Sequence, residues 1–113
     1  MNIFSLFAKN NINQEIEKYR NTPGAVLLDV RSKEEYDSGH IPGSINIPVE
    51  NIKDVEKHII NRETPVFVYC LRGTRSLKAV KVMQTLEYTQ VKSIGGIASY
   101  KGQKIKSYGT TQK

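Results

Sequence analysis

Two continuous apolar runs interrupt an otherwise polar chain, residues 25–28 (Ala-Val-Leu-Leu) and 66–69 (Val-Phe-Val-Tyr). Each is too short for a helix and reads as a strand buried on both faces, the first ending at Asp29. Residues 44–47 alternate and predict another strand, closed by Pro48. Residues 91–94 predict a final one, followed by Gly95 and Gly96. Between these runs the spacing turns helical. Ile12, Ile16 and Tyr19 share one helical face, with Asn13 as a candidate N-cap, although Ile12 also fits a short strand. Ser32 and Glu35 form a capping box, and Gly39 suits a left-handed C-cap. Ile41, Pro42 and Gly43 turn the chain. Ile52, Val55 and Ile59 recur at helical spacing, and Ala79, Val80, Val82, Met83 and Leu86 form a stripe on a helix that starts near Arg75. Strands alternating with helices imply an α/β fold with a parallel sheet covered on both faces. Ligands in such folds sit beyond the carboxyl ends of the strands. That edge carries Asp29 to Arg31 and Cys70 to Arg75, with Gly95 and Gly96 beside them.

Composition narrows the class. The 113 residues are 38% hydrophobic and 25% charged, as in a globular domain. They predict a single domain, 1–113, whose basic end, 101–113, is loosely packed. A chain of this length buries roughly two-thirds of its unfolded surface, enough to fold without a disulfide or a metal. The single cysteine, Cys70, excludes an internal disulfide, a Cys-x-x-Cys redox pair and a zinc ribbon. No apolar run approaches the roughly 20 residues that span a membrane. The apolar stretch at residues 3–8 is too short for a signal peptide and has no basic residue before it, so a cytoplasmic protein is expected.

The net charge of +6 is unevenly spread. Residues 1–63 hold 8 Lys/Arg and 10 Asp/Glu, net −2, whereas residues 64–113 hold 9 Lys/Arg and only Glu87, net +8. A positive field around Cys70 favours its thiolate and draws in small anions. The end of the chain, with four lysines and two tyrosines from residue 100 onward, carries no RNP, zinc-finger or helix-turn-helix pattern, so nucleic-acid and membrane partners are not expected.

Residues 66–76 carry the chemistry. A buried strand delivers Cys70 to the sheet edge, and a loop of residues 70–75 leads straight into a helix. The N–H groups at that helix start have no intrahelical partners, and its dipole adds partial positive charge. Successive loop amides form a nest for an anion, and Gly73 allows the positive φ a nest requires. Arg72 and Arg75 add two full charges. A core cysteine needs neither this glycine nor two arginines in the next five residues.

At these residues the chain resembles the single-domain rhodaneses, a sulfurtransferase family. The resemblance rests on Leu27-Leu-Asp-Val-Arg31, Glu35-Tyr36, Gly39-His-Ile-Pro-Gly-Ser-Ile-Asn-Ile-Pro48, residues 66–75, and Gly95-Gly-Ile97, in the family's order. It implies a parallel five-stranded sheet flanked by helices, and a Cys70 that accepts a sulfane sulfur as a persulfide. It further implies that the amides of Leu71, Arg72, Gly73, Thr74 and Arg75 hold that persulfide. Asp29 and Arg31 match a strand-end pair and Glu35 a helical acid. All three are read as scaffold, with Arg31 paired to Glu35 or a nearby carboxylate. His40 matches a structural turn residue, and His58 reads as a solvated helix residue.

Two peripheral features depart from the family. Tyr100 is the nearest aromatic where a tryptophan is usual after Gly96, and residues 86–91 lack a glycine. Phosphatases and arsenate reductases have a similar loop, but with a Cys-x5-Arg spacing. The Cys-x4-Arg of this chain narrows the ring of amides toward a single sulfur, and a reductase would need a second thiol. The expected reaction moves a sulfane sulfur from a donor such as thiosulfate to a thiophilic acceptor, cyanide or a thiol, through a Cys70 persulfide and without a cofactor. The alternative is a sulfur carrier or regulatory module with little turnover of its own. The expected partners are a small sulfur-containing anion or persulfide donor, or an acidic sulfur-relay protein drawn to the basic surface.

Overall fold

The computed structural model describes residues 11–107. The apolar runs form the two central strands, β1 (Val26–Asp29) and β3 (Val66–Cys70), paired in parallel from Val26 opposite Val66 to Asp29 opposite Tyr69. The short β2 (Ile45–Asn46) flanks β1, and β4 (Val91–Gly96) flanks β3, giving a parallel sheet of order β2-β1-β3-β4. The four strands are those the hydrophobic pattern predicts. The five-stranded sheet implied by the resemblance is corrected to four among the described residues.

The helices are α1 (Ile12–Arg20), α2 (Lys33–Ser38), α3 (Val55–His58) and α4 (Thr74–Thr85), with 3-10 turns at Val49–Asp54 and Ile97–Ser99. Asn11 rather than Asn13 caps α1. Its side chain accepts from the Gln14 amide, and the Gln14 side chain accepts from the Asn11 amide. A cap at Asn13 would face Ile16 three residues on, which cannot reciprocate. Asn13 instead joins α1 to the chain end, bonding the Ser99 carbonyl and the Lys101 amide. The Ser32–Glu35 capping box forms as expected. Gly39 ends α2 in an extended conformation rather than a left-handed one. The next residue explains this, because His40 pairs as an antiparallel bridge with Ile105 and the chain must leave the helix extended to reach it.

Alternation along β1 and β3 splits the core into two layers. Leu28, Val30, Val66, Val68 and Cys70 pack under α4, against Ala79, Val80, Met83 and Tyr88. Leu27, Phe67 and Tyr69 face α1, against Ile12, Ile16, Ile41, Ile94, Ile97 and Tyr100. Each fully buried aliphatic side chain contributes about 1.5–3 kcal/mol. The α1 layer also buries an acid, Glu15, paired with Lys92 at 2.7 Å and Lys18 at 3.6 Å. Residues 101–107 are exposed and tied at Lys101, Ile105 and Ser107 by backbone hydrogen bonds.

Candidate active site

β3 ends at Cys70, and three residues later Gly73 takes a φ of 113° that starts α4. The turn folds the helix start back over the sulfur. Cys70 Sγ accepts from the Gly73 amide at 3.0 Å and the Ser76 amide at 3.4 Å, and donates to the Ser76 hydroxyl at 3.6 Å. Of the five amides expected around the sulfur, Gly73 donates to it. The other donor is Ser76, one residue beyond, whose amide is among those a helix start leaves without intrahelical partners. Ser76 was not singled out from the sequence, although its position directly after Arg75, in the first turn of α4, was the signal. Its hydroxyl also meets the Gly73 carbonyl at 3.0 Å and the Ser93 hydroxyl of β4 at 2.7 Å. Cys70 is only 1% exposed.

The end of β4 braces the loop from behind. Cys70 lies opposite Gly96, the Ala98 amide donates to the Leu71 carbonyl at 3.1 Å, and Gly95 turns with a φ of 101°. A Cβ on Gly96 would fall 2.0 Å from the Leu71 carbonyl oxygen and 2.5 Å from the Arg72 Cα. Leu71 is half-buried in the α1 layer, whereas Arg72 and Thr74 are exposed.

Arg31 takes the second of its two expected partners, a nearby carboxylate, rather than Glu35. It clasps Asp29, with Nη2 2.7 Å from Oδ2 and Nε 3.1 Å from Oδ1, while its amide donates to Oδ1 and its Nη2 to the Gly39 carbonyl. Both residues are buried, and breaking such a pair costs about 3–5 kcal/mol because one charge is stranded. Glu35 pairs instead with Arg75 in a two-pronged bridge of 2.7 and 3.0 Å. The sheet order explains this choice, since β1 lies beside β3 and brings α2, just after β1, against the loop after β3. Arg75 is thereby charge-balanced. Arg72 makes no ion pair among the described residues and is the loop's uncompensated charge.

The Arg75 hydrogen bonds, opposed by burial and helped by the Ser32 amide, hold the Glu35 carboxyl down to about 2, against an ordinary 4.5. The folded value is depressed, so this pair stabilises the fold above the unfolded value and the gain is lost as pH falls from about 4.5 through about 2. Glu35→Gln keeps the capping box but not the charge. In thermal melts, the wild type is expected to lose more stability than Glu35→Gln across that acid window. Parallel curves would show that the bridge contributes nothing.

A groove of about 740 Å³ runs along one side of the loop, past Arg72, Gly73, Thr74 and Leu77. A cleft of about 400 Å³ lies on the other side, lined by Arg31, Glu35, Leu71, Ala98 and Lys104. Cys70 lines neither. His40 stacks on Tyr36 at 3.8 Å and donates from Nδ1 to the Tyr36 carbonyl at 2.8 Å, and His58 is exposed. Tyr100 is buried in the α1 layer and accepts from Arg20. No group of three or more His, Cys, Asp or Glu that could hold a metal ion occurs among the described residues.

The chain belongs to the rhodanese family: the model of the rhodanese-like domain matches residues 13–103. Among curated proteins it is 32% identical to the thiosulfate sulfurtransferase PspE of Escherichia coli, over 70% of this chain and 77% of that one. It is 35% identical to the human thiosulfate:glutathione sulfurtransferase, over 64% and 74% respectively. It also matches a probable molybdopterin-synthase adenylyltransferase of Porphyra purpurea at 33% identity, over 74% of this chain but only 22% of that one. The chain thus spans about a fifth of such adenylyltransferases. Among solved structures it resembles a rhodanese with anions from E. coli, with a TM-score of 0.68 and 31% identity over 73% of this chain and 98% of that one. These relatives place it in the sulfurtransferase family. Among the described residues no helix is long and apolar enough to cross a membrane.

Proposed function

We propose that the protein transfers a sulfane sulfur through a persulfide on Cys70. The Cys70 thiolate attacks the outer sulfur of a donor such as thiosulfate. A new S–S bond forms as the donor's S–S bond breaks, and the electron pair of the broken bond leaves with sulfite. An acceptor nucleophile, cyanide or a thiol, then attacks the outer sulfur and returns the thiolate. This is covalent catalysis with ping-pong kinetics. The observation that carries the reading is the pair of N–H donors, from Gly73 and Ser76, on Sγ at the start of a twelve-residue helix. Such donors stabilise negative charge on the sulfur during transfer, and the remaining loop amides are available to the outer sulfur of the persulfide. Asp29, Arg31 and the Glu35–Arg75 bridge hold the loop's surroundings in place. No step calls for a metal or an organic cofactor, and a lone thiol suits the reducing cytoplasm.

A second reading, a carrier that accepts sulfur but releases it only to a protein, is favoured by the burial of Cys70. Intact mass spectrometry separates the two. Thiosulfate is expected to add one sulfur atom to the reduced protein, and cyanide to remove it as thiocyanate. No gain on a demonstrably free thiol would discard thiosulfate chemistry in favour of protein-loaded transfer.

Arg72 is the residue best placed to attract an anionic donor. Arg72→Ala is expected to raise KM for thiosulfate about three- to tenfold with kcat little changed, an effect that shrinks as salt is added. An unchanged KM would make Arg72 a solvated surface charge.

A further inference from the structure

The groove beside the loop is too large for the small donors. A five-atom anion needs on the order of 100 Å³, scaling from about 30 Å³ for a water molecule, whereas the groove measures about 740 Å³. Its apolar lining is aliphatic, from Ile12, Leu77 and Ile94, and continues along the backbone of Gly95 and Gly96. Its charged lining is wholly cationic: Arg72, Lys78 and Lys81, all exposed and none in an ion pair with the described residues. No acid lines it.

The charge pattern of α4 is unfavourable taken alone. The start of a helix favours acids, yet α4 has no acid anywhere, and Lys78 and Lys81 repel each other at i,i+3. Glu35 compensates Arg75 in the first turn, but no ion pair among the described residues compensates Lys78 and Lys81, which points to compensation from outside the fold. Among the described residues no aromatic side chain lines the groove, so they offer no platform for stacked bases.

We infer that this groove docks an extended acidic segment of a partner protein, its carboxylates on Arg72, Lys78 and Lys81 and its aliphatic side chains on Leu77 and along the Gly95–Gly96 backbone. The inference rests on the sulfur-transfer reading, for which it names the kind of partner and the face it uses. The partner is brought up to the loop, where a thiolate on it attacks the outer sulfur of the Cys70 persulfide; the new S–S bond forms on the partner as the Cys70 S–S bond breaks and its electron pair leaves with the Cys70 thiolate.

The test uses the full chain and a ten-residue peptide alternating glutamate and valine. Binding is followed by fluorescence anisotropy and by amide shifts in nitrogen-15 spectra. Saturable binding is expected, with shifts centred on residues 72–81 and 94–96. It should weaken about tenfold in the double variant Lys78→Glu/Lys81→Glu, and again between low salt and roughly 0.3 M. The same variant should turn over thiosulfate and cyanide within about twofold of wild type. The inference is overturned by no binding up to about 1 mM, by equal binding to the double variant, by shifts centred on the Lys104 cleft, or by tighter binding of a ten-nucleotide oligothymidylate. A wild type that binds the peptide but takes no sulfur from thiosulfate would sink thiosulfate chemistry and leave the docking face standing. Sulfur uptake without peptide binding would do the reverse.

Discussion

Cys70→Ser is expected to abolish sulfur transfer, lowering turnover at least about a thousandfold to the background of the assay. An alkoxide cannot form at neutral pH as a thiolate does, and no second thiol exists to replace it. The fold should survive, because a serine oxygen can take the same two N–H donors in the same buried place. The loss of stability should stay below about 1 kcal/mol, so the thermal midpoint should fall by less than about 4–8 °C. The measurement pairs steady-state turnover with intact mass after thiosulfate, and circular dichroism to show a folded variant. A folded Cys70→Ser protein that still moves sulfur would end the persulfide proposal outright.

Gly96→Ala is expected to be nearly as damaging, although Gly96 has no side chain to take part in the chemistry. Its φ of −129° and ψ of 143° suit any residue, so backbone strain is not the issue. The obstacle is steric. The new methyl would sit 2.0 Å from the Leu71 oxygen and 2.5 Å from the Arg72 Cα, and both are backbone atoms that cannot swing aside as a side chain tip could. Either β4 retreats from β3 or the loop moves off Cys70. Overpacking of this kind costs about 1–3 kcal/mol, and misplacing a reacting group by about 1 Å can cost about a hundredfold in rate. We expect a fall in turnover of about that size, with a midpoint lower by at least about 4–8 °C. Gly95→Ala is the comparison: its Cβ meets nothing within 4 Å, and only its φ of 101° is strained. If Gly96→Ala kept both rate and midpoint, the close approach of β4 would not be what holds the loop.

The elements were legible because their signals are local. Apolar runs marked β1 and β3, the Ser32–Glu35 box marked α2, and the stripe from Ala79 to Leu86 marked α4. The strand-to-helix turn at residues 70–75 could be read the same way, since a cysteine, a glycine and two arginines in six positions need no knowledge of distant segments. The cap of α1 falls two residues before Asn13 because three asparagines, at 10, 11 and 13, compete there and only Asn11 has a glutamine three residues on.

What the sequence alone could not assign was who meets whom. Glu35 and Arg75 lie 40 residues apart and meet because β1 is hydrogen-bonded to β3. Ser93 reaches Ser76 because β4 is the next strand over. Glu15 can be buried at the foot of α1 because Lys92 of β4 comes within 2.7 Å of it. Gly96 reads as an ordinary turn glycine until the sheet lays it against the Leu71 carbonyl. Periodicity and capping follow from the rise and twist of one segment, so the chain determined its elements and the position of its single thiol. Ion pairs, close approaches and the grooves beside the loop depend on strand order and register, which are settled only when every segment is packed at once.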